Sequence, residues 1–70
     1  MSKYNPLWNY IVTNNKNNYK LTFDEINNIL GFPLDHSFLT YKKELLNYNY
    51  EVSKISIKEK NIIINKLNSN

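Results

Sequence analysis

Two isoleucine-rich runs, Val52-Ser53-Lys54-Ile55-Ser56-Ile57 and Ile62-Ile63-Ile64-Asn65-Lys66-Leu67, are joined only by Lys58-Glu59-Lys60-Asn61. This pattern constrains the chain more than any other, because alternating β-branched residues around a short charged joint read as an antiparallel hairpin. Closing at the joint sets Ile57 opposite Ile62 and Ile55 opposite Ile64, which makes one face wholly β-branched. Lys54, Ser56, Ile63 and Asn65 fall on the opposite face.

Upstream, the apolar spacing changes from two residues to three and four. Leu7 and Ile11, and Trp8 and Val12, recur at helical spacing after Asn5-Pro6. Asn5 is expected to cap this first helix, with Pro6 in its first turn, and the helix should end near Thr13. Asn14-Asn15-Lys16-Asn17-Asn18 reads as a loop, and Tyr19-Lys20-Leu21-Thr22 as a short strand that could add to a sheet supplied elsewhere. Thr22-Phe23-Asp24-Glu25 has the form of a capping box that opens a second helix burying Ile26, Ile29 and Leu30. Gly31, the only glycine, stands where a left-handed cap ends a helix, and Pro33 prevents continuation. Asp35 is expected to cap a third helix with Leu34, Phe38, Tyr41 and Leu45 on its apolar stripe and Leu39 and Leu46 beside it. Ser37, Thr40, Lys43, Glu44 and Asn47 face away, and the helix fades at Asn47-Tyr48-Asn49. Lys42 falls inside the apolar arc, where its stem can pack while its ammonium reaches out.

The resulting order is helix, strand, helix, tight turn, helix, strand, charged turn, strand. It predicts an α+β winged helix-turn-helix: three helices, a small antiparallel sheet and a C-terminal β-hairpin wing, filling residues 1–70 as a single DNA-binding domain. The chain has 70 residues and no cysteine, so disulfides and thiolate metal sites are excluded, and its one histidine cannot build a zinc site alone. A core this small favours self-association, and a homodimer is expected. No apolar stretch approaches a membrane span or a signal peptide, so a cytoplasmic location and no membrane partner are expected.

Charge distribution points to the class of partner. From His36 to Leu67 six lysines stand against three glutamates, so this half carries the whole net charge of +3. Asp35-His36-Ser37 contains the letters of a catalytic triad, but neighbours on a helix point about 100° apart, and no phosphate loop or metal-spaced cluster is present. Neither catalysis nor a cofactor is expected. A helix-turn-helix offers the start of its second helix to the major groove of double-stranded DNA; here that surface is His36, Ser37, Thr40 and Lys43, with Tyr41 at its edge. The hairpin adds Lys54 and Ser56 on its outer face and Lys58, Lys60 and Asn61 at its tip. Each of these surfaces has a plainer alternative as a solvated helix face or a charged, solubilising turn. Tyr4, Trp8, Tyr10, Tyr48 and Tyr50 could stack on single-stranded bases, but core or dimer packing is the expected role.

Tyr4-Asn5-Pro6-Leu7, Leu21-Thr22-Phe23-Asp24-Glu25-Ile26, Ile29-Leu30-Gly31 and Leu34-Asp35-His36-Ser37 resemble a winged-helix DNA-binding family of mobile elements. That family reads roughly Y-x-P-L, L-T-F-x-E-I-x-x-I-L-G and L-P-x-S, and includes relaxosome accessory proteins that bind the transfer origin (oriT) of clostridial conjugative plasmids. Asp35 stands in place of the family's proline, and no tryptophan pair follows in the third helix. The resemblance implies sequence-specific binding of a plasmid transfer origin as a homodimer, possible contact with other relaxosome proteins, and DNA contacts at His36, Ser37, Lys54, Lys58 and Lys60. Transcriptional control of a mobile element and a protein-interaction winged helix, acting as adaptor or inhibitor, are the other readings.

Overall fold

The computed structural model describes residues 2–67. The element order is α1 (Asn5–Asn14), β1 (Asn18–Thr22), α2 (Phe23–Leu30), α3 (Ser37–Tyr41), a 3-10 helix (Lys42–Tyr48), β2 (Tyr50–Ser56) and β3 (Asn61–Lys66). The fold is therefore α+β, with helices over one face of a three-stranded antiparallel sheet of order β1-β3-β2. Among the described residues no helix is long and apolar enough to cross a membrane.

Local chemistry sets the helix limits. The Glu25 N–H donates to the Thr22 hydroxyl at 3.1 Å, and the Thr22 N–H donates to the Glu25 carboxylate at 2.8 Å, completing the capping box. Gly31 ends α2 in the left-handed region (φ +83°), and its N–H donates to the Asn27 carbonyl at 2.7 Å. At α1 the expected cap moves by one residue. Tyr4 occupies the cap position and Asn5 is the first helical residue. The buried Tyr4 ring anchors the chain there, and its carbonyl accepts from Leu7 and Trp8 at 2.9 and 3.1 Å.

The third helix differs most from the sequence reading. Five α-helical residues give way to seven in 3-10 geometry. In a 3-10 helix side chains three apart eclipse one another. Lys42 therefore lines up with the buried Leu45, which explains its half-buried stem, while Lys43 lines up with Leu46, half exposed at 50%. Leu39 (53% exposed), Leu46 and Tyr41 (39%) stay outside, and Glu44 and Ser37, expected to face away, are half-buried.

The hairpin register also differs. Its turn is Ile57-Lys58-Glu59-Lys60, and Ser56 pairs with Asn61 and Ile55 with Ile62. The expected pairing of Ile57 with Ile62 and of Ile55 with Ile64 is thus replaced by one shifted by two residues. Such a shift preserves side-chain parity, so Ile55, Ile62 and Ile64 still share the inner face and Lys54, Ser56, Ile63 and Asn65 the outer one. Ile57 alone changes role and stands 73% exposed in the turn. A bulge at Ser53, between Val52 and Lys54, then sets Val52 opposite Ile64 and Tyr50 opposite Lys66. It reconciles the even-numbered apolar pair Tyr50 and Val52 with the odd-numbered Ile55.

Tyr4, Leu7, Trp8 and Ile11 from α1, Ile26 from α2, Phe38 and Leu45 from the third helical segment, and Tyr19, Leu21, Tyr50, Ile62 and Ile64 from the sheet form one core. Tyr48, at 40%, is exposed, and Tyr10 is half-buried. The reading of the aromatics as core thus holds for Tyr4, Trp8 and Tyr50, whose faces are not open to bases.

Thr22→Ala removes the acceptor of the capping box and is expected to lower unfolding stability by about 1 kcal/mol in urea titration, with Thr22→Ser close to wild type. A loss below about 0.3 kcal/mol would show that the box contributes little here.

Candidate nucleic-acid interface

The outward face of α3 is set by how α1 grips its inner side. The Trp8 indole N–H donates to Glu44 Oε1 at 3.0 Å, and the same oxygen accepts from the Ser2 hydroxyl. The Tyr4 hydroxyl donates to Asp35 Oδ1 at 3.1 Å and lies 2.7 Å from the Ser37 hydroxyl. Asp35 also accepts the Ser37 hydroxyl proton, the Ser37 N–H at 2.9 Å and, on Oδ2, the Lys3 ammonium at 2.9 Å. Asp35 therefore acts as the expected local cap, although the regular α-helix starts at Ser37 with His36 in the cap position.

These bonds tune the acids. The Ser37 hydroxyl, then the Lys3 ammonium and the Ser37 N–H, hold the Asp35 carboxyl well below the ordinary carboxylate range. The Ser2 hydroxyl, then the Trp8 N–H, lower that of Glu44. Asp35 in turn raises the Lys3 ammonium, chiefly through their hydrogen bond. Burial raises the Tyr4 phenol, so its hydroxyl keeps its proton. Asp35 thus carries a full negative charge, but Lys3 offsets it, in the single ion pair among the described residues.

His36, Thr40 and Lys43 are exposed, at i, i+4 and i+7 along the third helical segment. Ser37 is not free in the same way, because its hydroxyl is engaged by Asp35 and Tyr4. Lys58 and Lys60 are exposed in the hairpin turn, and Lys60 takes a left-handed φ of 58°. The Ser56 hydroxyl accepts from the Glu59 N–H at 3.1 Å, which stabilises that turn. Asn61, expected at the tip, is the first residue of β3 and only 7% exposed. Its place on the reachable tip is therefore corrected: the turn closes one residue earlier than the sequence suggested.

Two groups result. An open cleft of about 630 Å³ is lined by Phe23, Leu34, Asp35, His36, Phe38, Leu39, Ile55 and Ile57. It brings the start of α3 against the hairpin turn. Lys54 and Ser56 lie instead on the outer sheet face, away from the helices. The lysines are thus divided between two faces rather than gathered on one. Sequence reasoning missed a residue on that outer face. Lys20 of β1 and Lys54 of β2 both pair with Ile63, so the two lysines sit in one row, about 10 Å apart across two strand spacings. The alternation of Tyr19 and Leu21 around Lys20 held the signal, but only the pairing with β3 reveals the neighbour. It also missed Leu39 and Ile57, both largely exposed.

Among the described residues no three His, Cys, Asp or Glu side chains are placed to hold a metal ion. Comparison with family models, with curated proteins and with solved structures finds no match to this chain.

The acid pairings give the fold a pH dependence of known sign. A carboxyl whose folded pKa is depressed adds stability above its unfolded value and loses that contribution as pH falls through the interval down to the folded value. The urea midpoint should therefore drop from about pH 5 downward. Combined Asp35→Asn and Glu44→Gln substitution should lower stability at pH 7 and flatten the acid limb. A double variant whose acid limb parallels the wild type would refute the role given to these two groups.

Proposed function

We propose that this chain is a winged-helix domain that binds double-stranded DNA, with α3 directed into the major groove and the β2–β3 hairpin acting as the wing. One observation carries the reading: the start of the third helical segment, through His36 and Leu39, and the hairpin, through Ile55 and Ile57, line one cleft, with Lys58 next to Ile57 in the turn. The order and pairing of the elements agree with it, since β1 completes the sheet beside the hairpin and α2 is joined to α3 through a connection begun by Gly31.

Each side chain has a role in that reading. Lys43, Lys58 and Lys60 have no carboxylate within ion-pair distance among the described residues, so their ammonium groups are open to phosphates. Lysine anchors phosphate as a point charge. His36 and Thr40 carry the hydrogen-bonding groups nearest the base edges. Lys54 and Lys20 lie on the outer sheet face, off the α3 surface, and add to the positive field of the molecule without contacting a duplex held along α3. The likeness of the chain's first half to the mobile-element family nominates a plasmid transfer origin as the duplex, bound by two copies; transcriptional control would use the same contacts. A protein-interaction role is the second reading, favoured by the apolar lining of the cleft.

Fluorescence anisotropy with duplex and single-stranded probes at two salt concentrations separates these. A duplex binder should weaken steeply as salt rises. Lys58→Ala and Lys60→Ala should weaken binding across sequences and lower the salt slope by about one each. Unchanged affinity in both variants would remove the hairpin turn from the interface. A chain that binds no member of a random duplex library would overturn the DNA reading.

A further inference from the structure

The cleft between α3 and the hairpin turn has an unusual lining for a surface that grips phosphates. Its accessible side chains are largely apolar, with Leu39 53% exposed on one wall and Ile57 73% exposed on the other. Leu39 lies three residues after His36 and directly before Thr40, and all three are exposed, with Lys43 exposed one 3-10 turn after Thr40. Lys58 follows Ile57 in the turn, and Lys60 closes it.

We propose that this cleft reads thymine C5-methyl groups in the major groove of a T-rich duplex, with Leu39 as the principal reading side chain and Ile57 as the opposing wall. The inference rests on the duplex-binding reading above and names the base chemistry it selects. Among the base edges of the major groove, only thymine presents an apolar group. No lysine lines the cleft itself, but Lys58 and Lys60 stand beside Ile57 at its rim, so a polyanion carrying apolar groups at short intervals, as a T-rich duplex does, can meet the lysines and the apolar walls together. The chain has no arginine, so the planar fork that reads guanine bidentately is missing. Selectivity must then come from shorter contacts, and Leu39 is the apolar residue that stands beside the exposed Thr40 of α3. Charge also argues against a second copy as the occupant. Two copies meeting cleft to cleft would bring the Lys58 and Lys60 amines of both turns together, offset only by one Glu59 per turn and by an Asp35 already paired with Lys3, whereas a polyanion meets the lysines with opposite charge.

The test replaces thymidine by 2′-deoxyuridine in a duplex selected by the wild-type protein from a random library. This exchange deletes the methyl group and keeps base pairing and the O4 acceptor. Wild type should lose about fourfold in affinity for each contacted thymine, the value expected for one buried methyl group. Leu39→Ala should bind the two duplexes equally, Leu39→Met should keep the preference, and Lys43→Ala should weaken both while leaving their ratio unchanged. Because Leu39 is exposed, the alanine variant should unfold in urea as wild type does, which separates lost reading from lost folding. Equal wild-type affinity for the two duplexes would overturn thymine reading while leaving duplex binding intact. Absence of binding to any duplex would overturn both. A free-protein dimer in sedimentation that Leu39→Ala or Ile57→Lys dissociates would show the cleft covered by a second copy and would also overturn the proposal.

Discussion

Ile62 and Ile64 occupy the strand that lies between the other two. Ile62 pairs with Leu21 on one side and Ile55 on the other, and Ile64 with Tyr19 and Val52. Both isoleucines are fully buried, so the inner face of the sheet and the floor of the helical layer are the same set of atoms. Nothing local makes this arrangement: β3 must return from the far end of the chain and enter between β1 and β2, with a loop-closure cost that only apolar burial offsets. Backbone bonds outside the ladder fasten the return. The Phe23 N–H donates to the Lys60 carbonyl, and the Lys66 N–H to that of Asn17, both at 2.8 Å. The first bond ties the end of the hairpin turn to the start of α2, and so fixes where the turn stands relative to α3.

The helical layer depends on a second constraint, the polar tips of buried aromatic rings. Five α-helical residues cannot hold a helix in water. Phe38 and Leu45 seat the segment in the core, and Trp8 and Tyr4 orient it, because a buried indole N–H or phenol needs a partner. Glu44 and Asp35 supply those partners. The demand explains why Glu44 turns inward within the 3-10 stretch and why Asp35, exposed just before α3, takes the Tyr4 hydroxyl, while Lys43 and Thr40 are left outside.

The elements themselves were legible because their signals are local. The capping box at Thr22, the stop at Gly31 and the joint between the isoleucine runs each name their own structure within four or five residues. Which residues face the sheet interior was legible for a related reason: the two-residue slip in register leaves parity unchanged. The slip itself was not legible. It exchanges Ile57 in the ladder for Tyr50 in the core, where the Tyr50 hydroxyl donates to the Lys16 carbonyl at 2.9 Å and its ring packs on Tyr19. An aromatic ring buries about 150–250 Å², more than the isoleucine gives up, but the comparison requires knowing that β1 lies beside β3. The 3-10 stretch was hidden likewise, since Glu44 reads as an outward charge until Trp8 is placed beneath it. At the candidate site, His36, Thr40, Lys43, Lys58 and Lys60 were legible as exposed polar positions. Leu39 and Ile57 were not, because apolar residues at helical or strand spacing are assigned to the core by default.

The separation of the lysines into two sets bears on how a duplex could lie on the molecule. Lys43 belongs to the helical side, and Lys20 and Lys54 to the outer sheet face, with the sheet between them. A straight duplex laid along α3 cannot also follow the outer face of the sheet, because the two surfaces point in different directions. The turn from Ile57 to Lys60 stands at the rim where they meet, and it is held there by the Phe23–Lys60 backbone bond and the Ser56–Glu59 cap. Whichever surface the duplex follows, the turn is the part of the chain common to both contacts. Its lysines therefore bear on affinity in either pose, while only the α3 pose gives Leu39 and Thr40 access to base edges. Positive charge fixes how strongly this chain could hold a duplex; the direction in which the hairpin turn is held fixes which side chains could read it.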